Sequence, residues 1–522
     1  MPNPTAKERY NSLESSRESV LDRARAVARV TIPSLYPERG HDHGEVFTTP
    51  AQSVGSRGVN ILASKLMQTL LPSVVPFFRI LPSGAAKAAL EDAEPEFRNA
   101  LEKAMANYER VIMEDIRQKN DESVAFEAFK HLIIGGNVLL NVSKDGLRMF
   151  SLERYVVRRD DLGNQLEIVL KETFAPASLP KKILDIAANQ RDDLEGYSYN
   201  KEGDSKTIDI YTRIYRDINA TDTKWVVYQE VNGEEIPDTN ATYAKDNMPW
   251  LALRMFRVSG EDYGRGYAEQ YLGDLNSLEG LSKALIEGAA AASKILFLVK
   301  PNGFTSPREL ERSDNGAILA GNSGDITVMQ LDKYPDFRFV AETARNIEER
   351  LKLAFLDGTA IQRQAERVTA EEIRTMSLEL DKTLGGAYSV FSKEFQLSYV
   401  KRKIALLEKE GALKPLPEKS IRIAVITGLN ALGRAQEGNR LQLWLGNLIQ
   451  ILGPVEPLKY IHILEYMKKM AIAEGVDYED LFKTEEEAAS MDQTLQQQEM
   501  LQNISPEATK QIGNIVEKTM AQ

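Results

Sequence analysis

Cysteine is absent from all 522 residues. That excludes disulfides, thiolate catalysis and zinc–thiolate sites, and it leaves the redox compartment open. No glycine is followed by lysine, so there is no Walker A loop to cradle a phosphate, and GxSxG and HExxH are missing too. Histidine is scarce: only His41, His43, His131 and His462 occur. No apolar run approaches the roughly 20 residues that a bilayer requires. The most suspect run, Ala289–Val299, is broken by Ser293 and Lys294. The opening "MPNPTAKERYNSLESS" lacks the apolar centre of a signal peptide, so a soluble chain with no anchor of its own is expected. Positive charge is also in deficit. Lys and Arg number 65 against 77 Asp and Glu, a net charge of −12, so any contact with nucleic acid has to be local.

What is present is the balance of a folded chain, 43% apolar and 27% charged. At roughly 150 residues per domain the length suggests several modules. Residues 5–30 read as a charged helix, and "TIPSLYPERG" breaks it with two prolines. "TPAQSVGSRGVNILASKLMQTLLP" (49–72) reads as a helix with Thr49 as N-cap, Pro50 in the first turn and Pro72 as its stop. Residues 92–118 form another helix, and 122–140 run from helix through Gly135–Gly136 into a strand. The period then changes to two: Leu166, Ile168 and Leu170 alternate with Glu167, Val169 and Lys171 after the turn residues Asp161–Asn164. Asn232–Gly233 is a tight-turn signal. Residues 138–258 are therefore expected to be a β-rich insert between helical regions.

Helix resumes over 267–294, with "GAAAAS" near its end. Small side chains there suit close approach of a helix from another subunit, and equally suit a plain alanine-rich helix. Residues 295–340 suggest a small α/β nub with strands at "ILFLV", "GAILAG" and "DITVMQL", followed by a returning helix from Ala341. Gly358 interrupts that helix. It restarts at "VTAEE", where Thr369 and Glu372 fit a capping box. Ile373, Met376, Leu380, Leu384, Ala387, Phe391 and Phe395 then form one apolar stripe, with a bend or close contact expected at Gly385–Gly386. Residues 412–480 read as further helices, and the last 40 residues are polar and glutamine-rich.

Candidate chemistry is sparse. "HDHG" (41–44) could present two histidines to a cation, or simply be a polar loop. "SGEDYGRGYAEQYLGD" (259–274) gathers carboxylates and glycines. Its Glu261 and Asp262 could bind a divalent ion in a nucleic-acid-processing enzyme, or the stretch could be a glycine hinge. Arg363 and Arg367 flank the helix restart, either as solvated charge or as a loop that touches a polyanion.

The segments "TIPSLYP", "TPAQSVGSRGVNILASKLMQTLLP", "IIGGNVLL", "YVVRRDDLGNQLEIV", "EDYGRGYAEQYLGDLNSLEGL", "AERVTAEEIRTMSLELDKTLGGAYSVFSKEFQL" and "ITGLNALGR", in this order, resemble the portal proteins, or head-to-tail connectors, of short-tailed podoviruses of the autographivirus type. The resemblance implies an α+β, mainly helical portal fold whose copies form a ring, commonly a dodecamer, at one capsid vertex of the virion, assembled in the bacterial cytoplasm. It assigns 1–266 to a wing, 267–294 and 341–357 to stem helices, and 295–340 to a clip. Residues 358–368 become a tunnel loop, 369–411 a long wing helix, 412–490 a helical crown and 491–522 a polar tail. It places Gln362, Arg363, Gln364 and Arg367 on the DNA channel, and Gly264, Gly266, Gly288, Gly358, Gly385 and Gly386 at hinges or subunit contacts. Implied partners are double-stranded DNA, the terminase large subunit, a tail adaptor, the major capsid and scaffolding proteins, and internal core proteins. No cofactor, catalytic residue or membrane is implied. A scaffold ring without DNA passage remains an alternative.

Overall fold

A computed structural model describes residues 4–42, 44–72, 76–83, 95–189, 207–217, 224–292, 296–329, 334–357, 376, 378–380, 382–384, 387–414, 421–425 and 429–453, with a few single residues up to 470. The chain divides into two units, Met1–Leu429 and Asn430–Gln522.

The first unit opens with α1 (Ala6–Arg29). Thr5 Oγ1 accepts from the Glu8 amide, and Glu8 returns a carboxylate to the Thr5 amide, a capping box. Tyr10, Leu13, Val20, Leu21, Ala24, Val27 and Ala28 are buried at helical spacing along it. Next, α2 (Val54–Leu70) begins four residues later than Pro50. The physical reason lies in tertiary partners: the Ala51 and Gln52 amides donate to the Glu279 carboxylate, and the Gln52 side chain bridges Val30 O and the Gly55 amide. These bonds hold the 51–52 backbone outside the helix.

Strand β1 (Phe78–Pro82) is followed by α3 (Pro95–Gln118) and α4 (Asp121–Gly135). Four strands come next: β2 (Asn137–Ser143), β3 (Gly146–Phe150), β4 (Tyr155–Arg159) and β5 (Gln165–Phe174). After α5 (Lys181–Asn189) run β6 (Ile208–Asp217), β7 (Lys224–Val231), β8 (Glu234–Glu235), β9 (Ala241–Ala244) and β10 (Trp250–Arg254). These strands make two antiparallel sheets, one ordered β10–β2–β3 and one β4–β5–β6–β7–β8 with β9 on β7. The β7–β8 turn holds Asn232 at φ 50° and Gly233 at φ 89°, both left-handed, the geometry of a twist-matched two-residue hairpin.

The alternation in β5 suggests one buried face, yet both are covered. Ile168 and Leu170 join the main core, while Val169 packs with Ala6, Tyr10 and Leu13 of α1. Glu167 is buried as well, paired with Arg213 at 2.7 Å and Arg9 at 2.6 Å. Glu230 of β7 accepts from the Ala6 and Lys7 amides, so a strand carboxylate sits at the positive end of α1.

Helix α6 (Leu272–Ala292) leads to β11 (Leu296–Val299), α7 (Pro307–Arg312) and β12 (Ile326–Met329), and α8 (Tyr334–Ala354) returns. The two long helices run antiparallel: Arg350 pairs with Asp274 at 2.9 Å near one end, and Phe337 lies against Gly288 near the other. In the nub, β11 pairs antiparallel with β12. "GAILAG", expected as a third strand, is irregular: Gly316 takes φ 92° and Ile318 is wholly exposed, so no sheet edge or core receives this stretch.

Residues 376, 378–380 and 382–384 are helical. Then α9 (Ala387–Phe391) passes through a π-helical turn, Ser392–Gln396, into α10 (Leu397–Lys409). Met376, Leu380, Leu384, Tyr388, Phe391, Phe395 and Tyr399 are buried along one side. The Tyr388 hydroxyl and Gln396 Nε2 donate to Thr69 O and Leu70 O, carbonyls that the C-terminus of α2 leaves free. Strand β13 (Ile421–Val425) pairs antiparallel with β1, so the helical expectation for 412–480 fails at 421–425. The partner strand lies more than 300 residues earlier, outside the reach of local pattern. Helix α11 (Leu429–Leu452) starts on the last residue of the first unit and otherwise belongs to the second.

Candidate channel segment and its anchors

Gln362, Arg363, Gln364 and Arg367, together with Gly358, Gly385 and Gly386, lie outside the described residues. Their flanks are well defined. Helix α8 ends in a Schellman arrangement, with the Leu356 amide donating to Leu353 O and the Asp357 amide to Lys352 O. The residue in the left-handed position is leucine, with φ 58° at Leu356. Glycine normally fills that place, and a β-carbon there costs about 1–2 kcal/mol.

Neighbours on α2 and in the turn just before α6 over-determine this end. Gly58 lets the Phe355 ring lie on α2, where a β-carbon at 58 would stand 2.6 Å from Phe355 Cγ. The Tyr267 hydroxyl donates to Ala354 O at 2.6 Å, and the Tyr267 and Tyr271 rings pack on Phe355. Arg57 pairs with the buried Asp357 at 2.9 Å. Lys65 Nζ donates to Leu356 O at 3.1 Å and pairs with Glu379 at 3.0 Å. Neither Arg57 nor Lys65 stood out as a site residue in the sequence. The available signal was a lysine inside the apolar run "NILASKLMQTL".

The remaining glycines are tight joints within one chain. Gly264 exchanges two hydrogen bonds with the Asn137 side chain, its amide at 2.7 Å and its carbonyl at 2.9 Å. A β-carbon on Gly264 would lie 2.8 Å from Phe256 O, and one on Gly266 would run into the Ile134 carbonyl. The expected hinge is thus locked against the end of α4. Gly288 receives the Phe337 ring of the same chain.

Glu261 and Asp262 do not converge. Glu261 pairs with Arg265 at 2.7 Å, while Asp262 accepts from the Arg159 amide at 2.6 Å and pairs with Arg158 at 3.3 Å. These carboxylates are satisfied by arginines, which orders the loop before α6. His41 pairs with Glu45 and stacks on Phe47, so the 41–47 loop holds itself together, and His43 lies outside the described residues. His131 is buried edge-on to Tyr36, and burial pulls its pKa down to about 4.

A buried ionic network ties α10 to the α3–α4 junction. Lys403 Nζ lies 2.7 Å from both Asp115 and Asp121, Tyr399 donates to Asp121, and Asp121 also accepts from the Leu147 amide. Burial acts to raise the Asp115 carboxyl, but Lys119 and Lys403 hold it below its ordinary value.

Charges neutralise one another inside the fold, and a long helical hairpin carries a small nub. The family description "Bacteriophage head to tail connecting protein" matches residues 3–481, and the chain belongs to that family. It is 36% identical over 488 residues to the portal protein of Escherichia phage T7, covering 92% of this chain and 89% of that one. It is likewise 36% identical over 491 residues to the portal protein of Enterobacteria phage T3, covering 93% and 89%. For the portal protein of Enterobacteria phage SP6 the identity is 30% over 439 residues, covering 83% and 81%. Among solved structures, the neck of an empty GTA particle computed with C6 symmetry aligns with a TM-score of 0.35 at 14% identity, covering 76% of this chain and 86% of that one.

Proposed function

We propose that copies of this chain form the ring-shaped portal at one vertex of a phage capsid, a channel through which double-stranded DNA enters during packaging and leaves at ejection. The observation that carries this reading is the family match, which spans residues 3–481. In this reading the ring is a homo-oligomer, a dodecamer. The α6–α8 hairpin serves as stem, and the nub between the two helices serves as the clip that meets the terminase large subunit and later a tail adaptor. Major capsid, scaffolding and internal core proteins are the other partners.

The channel segment is 358–368, presenting Gln362, Arg363, Gln364 and Arg367 to the duplex. Physics limits its grip. Each phosphate neutralised by Lys or Arg releases counterions and tightens binding, and tight binding would stall a duplex that has to slide both ways. A chain of net charge −12 with a few arginines at a constriction fits weak contact without register. The hairpin's exposed apolar side chains support lateral association: Ile286, Phe339 and Leu353 on the helices and Phe304 and Ile318 on the nub all face solvent in the single chain. Negative-stain microscopy of the purified protein is the test. Rings with a stain-filled pore are expected, and a population of lone particles or closed dimers at high concentration would defeat the proposal.

A further inference from the structure

A leucine in the left-handed region persists only where its surroundings fix it, and such positions gather where a fold places a functional segment. At Leu356 the fixing is visible. Its side chain belongs to the main core, and its carbonyl is taken by Lys65. The next residue, Asp357, is tied to Arg57. The same Lys65 ammonium reaches Glu379, which lies on the other side of residues 358–375. One nitrogen therefore holds an acceptor from the chain before this segment and an acceptor from the chain after it, and the two acceptors lie within two hydrogen-bond lengths of each other.

Lysine suits this task. Its compact head carries three donors that can address acceptors out of one plane, whereas the arginine fork is flat. The Lys65 side chain is only 10% exposed, so water competes poorly for those bonds. Its backbone is equally fixed, in the middle of α2, whose Val59, Leu62, Ala63 and Leu66 are fully buried.

We propose that Lys65 is a positioning residue: it clasps the two ends of the 358–375 segment together and sets where that segment leaves and re-enters the body of the fold. Holding the ends of a connecting segment at a fixed separation restricts the places its middle can visit. The clasp stands on geometry alone. Its consequence for DNA rests on the reading that this segment faces the channel.

Hydrogen exchange on assembled rings of the full chain tests the clasp. Lys65→Met should speed exchange about tenfold or more at the Leu356 and Asp357 amides and in peptides spanning 378–384, while peptides of α4 keep the wild-type rate. Unchanged exchange at those amides, or an equal rise throughout the chain, overturns the proposal. If Lys65→Met does not assemble, Glu379→Gln removes one charge at a partly exposed position. It should speed exchange severalfold at 378–384, and no change there overturns the proposal equally. Retention of packaged DNA separates the two readings. Faster local exchange with wild-type retention upholds the clasp and removes the channel assignment, whereas lost retention with unchanged exchange removes the clasp.

Discussion

Lys403 Nζ lies 2.7 Å from Asp121 Oδ2, and neither side chain has any solvent exposure. The pair joins α10, late in the first unit, to the turn between α3 and α4, where Asn120 takes a left-handed φ of 53°. Lys403→Met leaves Asp115 and Asp121 facing each other without their shared cation. Removing one partner of a buried pair costs about 3–5 kcal/mol. Urea unfolding of the purified protein should show a loss of that size. The double variant Lys403→Met with Asp121→Asn should recover much of it, because asparagine can still accept from the Leu147 amide and Asp115 keeps Lys119.

Gly288 makes a second prediction. Its backbone is pressed on the Phe337 ring, so a β-carbon has no room unless that ring shifts or α6 and α8 separate. Gly288→Ala should destabilise the hairpin by about 1–3 kcal/mol, the usual cost of overpacking. Pairing it with Phe337→Leu should restore part of the loss. An equal loss in the single and double variants, read by thermal unfolding, would place the cost elsewhere.

His131 governs part of the acid response. Its neutral ring is buried against Tyr36, with Glu127 and Lys130 nearby, and its pKa falls from 6.5 to about 4. The unfolded chain therefore binds this proton more readily than the folded one. Stability from the neutral ring is complete above about pH 6.5 and is lost as pH falls from there towards 4, to a limit of about 3 kcal/mol. His131→Phe keeps the ring and removes the titration. The difference in unfolding free energy between wild type and His131→Phe should shift in the variant's favour between pH 7 and pH 4.5. A pH-independent difference would sink the assignment.

Arg363→Gln with Arg367→Gln should leave rings intact by microscopy and change the amount of DNA packaged or retained severalfold. Wild-type packaging and retention in this double variant would count against the channel role of those arginines.

Some elements were legible because a local signal sufficed. The charged helix read over residues 5–30 is α1, and Asn232–Gly233 turns β7 into β8 through two backbone angles. The apolar steps from Met376 to Phe395 mark a buried helix face regardless of what covers it. The order of segments that relates the chain to its family is likewise linear information, and 36% identity over nearly all its length preserves it.

Other features needed the folded chain. The start of α2 moved from Pro50 to Val54 because Glu279, more than 200 residues away, takes the Ala51 and Gln52 amides. Strand β13 exists because β1 supplies its ladder, and Glu167 is buried because α1 covers the outer face of β5. The pairings of Lys65 with Leu356 and Glu379 belong to this second class. Sequence by itself determined the period and the tight turn, since those energies act within a few residues. Only tertiary structure decided which charges are buried and which distant groups meet, since burial and pairing depend on neighbours that no local window contains.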